Sequence, residues 1–372
     1  MPGKEQITLP EKYYLDYFLY LLEFVQKHYD HILDEPEELF YADFKRLSED
    51  AKCLYIRLSN RRGDFFRASK LGYTEIQNLD KAIEELSLRH FIGVNESDDP
   101  SQLSIFTKDE LLSHFEFLCP EQKKPEMLQK LTEEDVEPVR QTEKIIELKR
   151  QEVVAFLKLL FFGNRRQKMT AFVIRDIGNV KLQRLDESKF TPWFQKREDA
   201  LGVMHISQLK SMVRELINAE MPLGEFLNEM PWNEWLSYPR SKESAYRLLL
   251  RVGAYFEKTQ ALEEALKYYE YVPRHPARER RIRIHERLGD PKSALQIANE
   301  LIENPSAAAE RTFATDYLNK SGLRMNRSMT KRLRQAQVIE IKKTHQRVEA
   351  EVLCYFEEKG WQGIHSENFL WR

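Results

Sequence analysis

Two stretches, ALEEALKYYEYVPRHP at 261–276 and DPKSALQIANELIENP at 290–305, decide how the chain is read. Ala265, Tyr269, Val272 and Pro276 in the first are matched by Ala294, Ala298, Leu301 and Pro305 in the second, at the same offsets and a shift of 29 residues. Small and large side chains at steps of four, three and four let neighbouring helices approach closely, as in the second helix of tetratricopeptide (TPR) pairs. The period is shorter than the usual ~34 residues, so the expectation is a TPR-like helical domain over 192–345.

Upstream the helical signal continues. Tyr13 to Phe24 is apolar on more than one face, and Glu38 to Leu58 carries Leu39, Phe40, Phe44, Leu47, Ala51, Leu54, Tyr55 and Leu58 at helical spacing. Gly63 is expected to end that helix. A helix over Glu75 to Arg89 followed by the extended Phe91 and Ile92 suggests a winged-helix-like unit, assigned to 1–103. Thr107 and Glu110 form a capping box. Two short helices around the lysine-bearing link CPEQKKP then have the outline of a SAP-type motif within 104–191. A long helix is predicted over Glu143 to Phe162, and Thr170 to Leu185 is the one convincing β segment, a hairpin turning at Ile177–Asn179. Trp193, Trp232 and Trp235 are expected in helix packing.

The chain has 372 residues, room for two or three domains. Its 13 glycines and 15 prolines suit a mainly helical protein, and its 21 Phe, 16 Tyr and 5 Trp argue against disorder. The fold class expected is therefore mainly α and multidomain: winged-helix-like and SAP-like units, one short β-hairpin and a TPR-like repeat. Cys53, Cys119 and Cys354 lie far apart, which suggests neither a disulfide framework nor a zinc finger and makes a reducing, cytoplasmic setting the default. No apolar run reaches the ~20 residues of a membrane span.

The formal charge of -2 hides segregation. Residues 30–50 are strongly acidic; residues 52–70, 274–287 and 320–347 are strongly basic. A charge run is by default a solvated helix face, but three basic patches in one chain suit a polyanion such as DNA. No GxxxxGK[ST], GxGxxG, GxSxG or HExxH string occurs. His28 and His31 with Asp30 and Asp34 form a conceivable metal pair, with no further ligand indicated.

Several segments together resemble one family. YYLDYF at 13–18, LYIRLSNRRGDFF at 54–66, KLGYTEIQNLDKAIEELSLRHFI at 70–92, RHPARERRIRIHERLGD at 274–290 and VEAEVLCYFEEKGWQGIHSEN at 348–368 look like the Fanconi-associated nucleases, in order across nearly the whole chain. The resemblance is nearer to bacterial members, since no N-terminal ubiquitin-binding zinc finger of the animal type precedes the first segment. It implies the DNA-binding part of a structure-specific 5′-flap nuclease of phosphodiesterase I type, acting in DNA repair and interstrand-crosslink processing, with Mg²⁺ or Mn²⁺ as the complete enzyme's cofactor. It further implies that 346–372 begin a VRR-NUC nuclease domain, left incomplete.

Within that domain Glu367 matches the family's early metal-binding, catalytic glutamate. The later Asp and Glu-x-Lys pair have no counterpart in the 372 residues. Two-metal hydrolysis needs several carboxylates, so this polypeptide alone is expected neither to cleave DNA nor to bind the metal tightly. The implied DNA contacts are Arg57, Arg61, Arg62 and Lys70 in the first domain and Lys123 and Lys124 in the SAP-like link. Arg278 or Arg281 would face a flap's 5′-phosphate, because a guanidinium forks onto phosphate and stays charged. Two other readings use the same residues. One is a scaffold whose TPR-like groove binds a protein partner; the other is a stand-alone winged-helix regulator with sequence preference.

Overall fold

The structure, a computed structural model, describes residues 11–164, 190–322, 340 and 348–361. Its contacts group the chain into two units, Met1–Ser207 with Tyr238–Ser241, and Gln208–Ser237 with Lys242–Arg372. The expected hairpin at 170–185 lies outside the described residues.

Unit 1 opens with α1 (Tyr13–Tyr29), which buries Leu15, Phe18, Leu21, Leu22, Phe24 and Val25. So broad an apolar surface needs partners on several sides, and α1 packs on both α3 (Glu49–Ser59) and α8 (Gln151–Phe162). The single helix predicted over 38–58 is two. The helix α2 (Glu35–Arg46) stops at an extended Leu47, because the Ser48 side chain accepts the Ala51 amide and starts α3 afresh. The helix α3 ends at Asn60 rather than at Gly63, whose φ of +97° serves the turn into β1 (Phe65–Arg67). The helix α4 (Leu79–Leu88) leads into β2 (Ile92–Val94), the extended element expected there.

The two-helix segment forms α5 (Lys108–His114) and α6 (Lys124–Leu128), followed by α7 (Val136–Arg140). Residues 143–162, predicted as one helix, divide into β3 (Ile145–Leu148) and α8, with Arg150 at φ 58° between them. Strand β3 is central in a three-stranded antiparallel sheet of order β1-β3-β2, with Phe66 opposite Ile146 and Gly93 opposite Glu147. Both its faces are covered. Ile146 and Leu148 join the large core of Phe18, Phe40, Phe44, Tyr55 and Phe91, while Ile145 joins a second core of Leu103, Phe106, Leu111, Met127 and Val139. A strand buried on both faces loses its alternation and reads like a buried helix, which is why periodicity misassigned it.

Unit 2 contains the second half of α9 (Arg197–Asn218), then α10 (Trp232–Ser237), α11 (Pro239–Lys258) from Lys242 onward, α12 (Leu262–Glu270), α13 (Ala277–Arg287), α14 (Pro291–Glu303) and α15 (Ala308–Lys320). Helices α12 to α15 stack in succession. Ala265, Ala294, Ala298 and Leu301 are all fully buried, so the repeat marks the packed faces. Close approach also explains Gly253, where a Cβ would lie 2.7 Å from the Tyr269 ring. Trp232 and Trp235 are buried edge to face, as expected of packing residues. Trp193 of unit 1 stays 40% exposed beneath the Arg240 guanidinium. Residues Val348–Glu358 form α16. None of the three cysteines is in a disulfide. Among the described residues no helix is long and apolar enough to cross a membrane.

Candidate nucleic-acid interface

The arginines around the α3–β1 turn have different partners, and those partners divide their roles. Arg57 is committed. Its Nε and Nη2 lie 2.7 and 2.5 Å from Glu75 Oε1, and its guanidinium sits 4.2 Å over the Tyr14 ring. Tyr14 also donates its hydroxyl to Glu75, at 2.7 Å. Burial alone would raise the Glu75 carboxyl, but donors from Tyr14, its own backbone and Arg57 outweigh it and hold the group below its ordinary range. Arg61 is exposed and donates to the Tyr73 hydroxyl at 3.2 Å. Arg62 and Lys70 are exposed and have no partner among the described residues. Free cations at a tight turn are the groups best placed to meet phosphate.

In the sequence Lys158 interrupts the apolar run from Val153 to Phe162. It extends from α8 to this turn and donates to Asn60 Oδ1 at 3.2 Å. Burial pulls its ammonium down to about 8.

At the second expected contact, Thr107 and Glu110 form the predicted capping box. The Thr107 amide donates to Glu110 at 2.8 Å and Thr107 Oγ1 accepts from the Glu110 amide at 3.3 Å. Lys123 is exposed; the Lys124 ammonium instead donates to the Ser104 carbonyl at 2.7 Å. Glu116 and Glu121 on the same link and Glu126 in the first turn of α6 are exposed and offset its lysines.

In unit 2 the basic helix α13 sorts in the same way. Arg278 is tied to Glu310, a fully buried carboxylate 2.5 Å away that also accepts from the Ser306 amide and hydroxyl. Arg281 lies 3.8 Å from Glu270, and its Nε is buried with no partner. Arg280 and Arg287, which the resemblance does not single out, approach Glu257 at 3.4 and 3.7 Å. With Lys258, Tyr269 and Pro276 they line an open cavity of about 370 Å³. Three cations around one carboxylate leave this cavity net positive. The signal in the sequence was their seven-residue spacing, which puts both on one helix face.

Of the basic run at 320–347, Lys320 lies in α15 and the other cations fall outside the described residues, as does Glu367. Among the described residues no group of three or more His, Cys, Asp or Glu could hold a metal ion. His28 packs its ring 4.5 Å from Phe24 and 5.0 Å from Phe190.

The family model described as "FAN1, HTH domain" matches residues 12–93, the stretch holding α1 to α4, β1 and β2. The chain is 29% identical over 328 residues to the Fanconi-associated nuclease 1 homolog of Pseudomonas aeruginosa, covering 82% of this chain and 56% of that protein. It is 24% identical over 243 residues to the homolog of Arabidopsis thaliana, covering 59% of this chain and 27% of the relative. The chain thus spans about half the length of the bacterial relative and about a quarter of the plant one. A solved structure titled "Crystal structure of paFAN1 bound to 2nt 5'flap DNA with gap" matches with a TM-score of 0.73 and 26% identity, over 95% of this chain and 67% of the other. A second, of paFAN1 with a 1nt flap, shares the fold at a TM-score of 0.69 and 24% identity. In its helix-turn-helix stretch, its sequence and its fold the chain is similar to the Fanconi-associated nucleases, the bacterial homolog among them.

Proposed function

We propose that this chain is the DNA-binding part of a structure-specific 5′-flap nuclease acting in DNA repair, including interstrand-crosslink repair, in the cytoplasm at the nucleoid. One observation carries the reading: a fold match covering 95% of the chain to paFAN1 bound to 5′-flap DNA. The free cations fit that partner. In this reading residues 1–103 are the winged-helix-like domain, 104–191 the SAP-like region, 192–345 the TPR-like domain and 346–372 the start of the nuclease domain. Arg61, Arg62, Lys70 and Lys123 meet duplex phosphates. Arg280, Arg287 and Lys258 join Arg281 as candidates for the flap's 5′-phosphate, while Arg278, paired with buried Glu310, holds the helix that carries them. Glu367 is this chain's contribution to the Mg²⁺ or Mn²⁺ site of the complete enzyme.

Binding of a fluorescein-labelled 5′-flap duplex by the full chain, measured as a function of salt, tests the reading. Neutralising about six phosphates gives a slope of log K against log salt near -5. Replacing both Arg62 and Lys70 by Ala should flatten the slope by about 2. A slope near zero, or equal affinity for plain duplex and flap, would overturn it.

A further inference from the structure

Arg67 is one of the cations of the basic stretch 52–70, and its charge is already used. It ends β1 with its side chain only 15% exposed. Its Nη1 donates to Glu110 at 2.6 Å, its Nε donates to Glu143 at 3.0 Å, and the guanidinium lies 4.5 Å over the Phe106 ring. Both carboxylates have second duties. Glu110 is the capping-box residue that starts α5, in the helical unit bearing Lys123 and Lys124. Glu143 accepts the Ser69 amide at 3.2 Å and also the Ser69 hydroxyl, which holds the backbone immediately before Lys70. One guanidinium therefore joins the start of one lysine-bearing unit to the segment that presents another lysine.

We infer that Arg67 is a positioning residue: through Glu110 and Glu143 it sets the placement of Lys70 relative to the α5–α6 unit, so that one DNA engages both. The inference rests on the DNA-binding reading above. Two phosphate-binding surfaces held at a fixed separation act as a bivalent site, and loosening the joint lowers the effective concentration of the second contact without removing any cation. The side-chain fork of arginine is needed because two carboxylates are held at once from different edges of one planar group.

Charge and positioning predict opposite signs for a carboxylate substitution. Glu110→Gln and Glu143→Gln each remove a negative charge beside the proposed interface. A purely electrostatic role for the patch makes both variants bind DNA as tightly as the parent, or more tightly. Positioning makes both weaker. In the flap-binding titration on the full chain, each is expected to bind about 3- to 10-fold more weakly, like Arg67→Gln. The Lys70→Ala substitution, costly in the parent, should cost less than twofold when added to Glu143→Gln, since a displaced Lys70 no longer contributes. Thermal unfolding of each protein identifies any variant that does not fold. Ser69→Ala, which removes only the hydroxyl contact on Glu143, replaces such a variant and should show the same sign.

If Arg67→Gln weakens binding while both Gln variants bind as well as the parent, Arg67 is a phosphate contact and the inference is overturned. It is equally overturned if Lys70→Ala costs the same in both backgrounds. A parent chain that does not bind the flap removes the DNA reading itself, and positioning with it.

Discussion

Replacing Arg278 by Ala separates a structural arginine from a phosphate-binding one. In the parent protein its guanidinium is 13% exposed and faces Glu310, which is fully buried. Removing it leaves a buried carboxylate without its counter-ion, a change that generally costs about 3–5 kcal/mol. Glu310 keeps the Ser306 amide at 2.7 Å and its hydroxyl at 2.8 Å, which places the cost near the lower end, about 3 kcal/mol. For a folding unit of this size about 2–4 °C is lost per kcal/mol, so thermal melts of the full chain at pH 8 should fall by about 6–12 °C.

The pH dependence carries a second signature. Burial pushes the Glu310 carboxyl up, but Arg278 and Ser306 together hold it below its ordinary range. In the parent its stabilising contribution is therefore present above about pH 4.5 and is lost as pH falls through the depressed value. In Arg278→Ala burial is no longer opposed by a cation, so the group titrates higher and prefers its neutral form. Both effects shrink the gap between the two melting points as the buffer is taken from pH 8 towards pH 4. Below its melting range the variant should bind a 5′-phosphorylated flap within about twofold of the parent, as expected of an arginine whose donors are internally used. An unchanged melting point with tenfold weaker flap binding would show that Arg278 is free to meet phosphate, and would refute the reasoning.

Further outcomes follow from single side chains. The Arg67 guanidinium, with the Thr107 amide, holds Glu110 down to about 2, so its contribution to stability is lost between about pH 4.5 and pH 2; acid-unfolding curves of Glu110→Gln should be flatter than the parent's over that window. Lys158, lowered to about 8, makes the folded protein bind fewer protons than the unfolded chain between about pH 8 and 10.5. Stability relative to Lys158→Met should therefore rise through that interval by up to ~3 kcal/mol, read by urea denaturation at several pH values. Gly253→Ala would gain ~1 kcal/mol of helix propensity in open space, but its Cβ meets the Tyr269 ring at 2.7 Å, so a net loss of about 1–2 kcal/mol is expected in the same assay.

What the residues alone determined about this protein is whatever depends on neighbours within about four positions. The helices α1, α4, α12 and α14, the Thr107–Glu110 cap and the burial of Ala265 and Ala294 were legible for that reason, since helix formation and capping close over one turn. The split at Ser48 is equally local. It was outweighed because an apolar period running through both helices masks a single capping residue.

Two kinds of fact were decided only by the tertiary structure. One is β3, a strand because β1 and β2 flank it and a core lies on each of its faces, a context no window of its own residues contains. The other is which cations are free. The partners of Arg278, Arg67 and Arg57 lie 32, 76 and 18 residues away along the chain. A local count shows a positive patch but cannot show its neutralisation. The basic stretches were visible as composition, and their division into Arg57, Arg67 and Arg278, spent inside the fold, and Arg62 and Lys70, left facing solvent, is the work of packing. A charge is attracted through space, whereas sequence orders residues only along the chain.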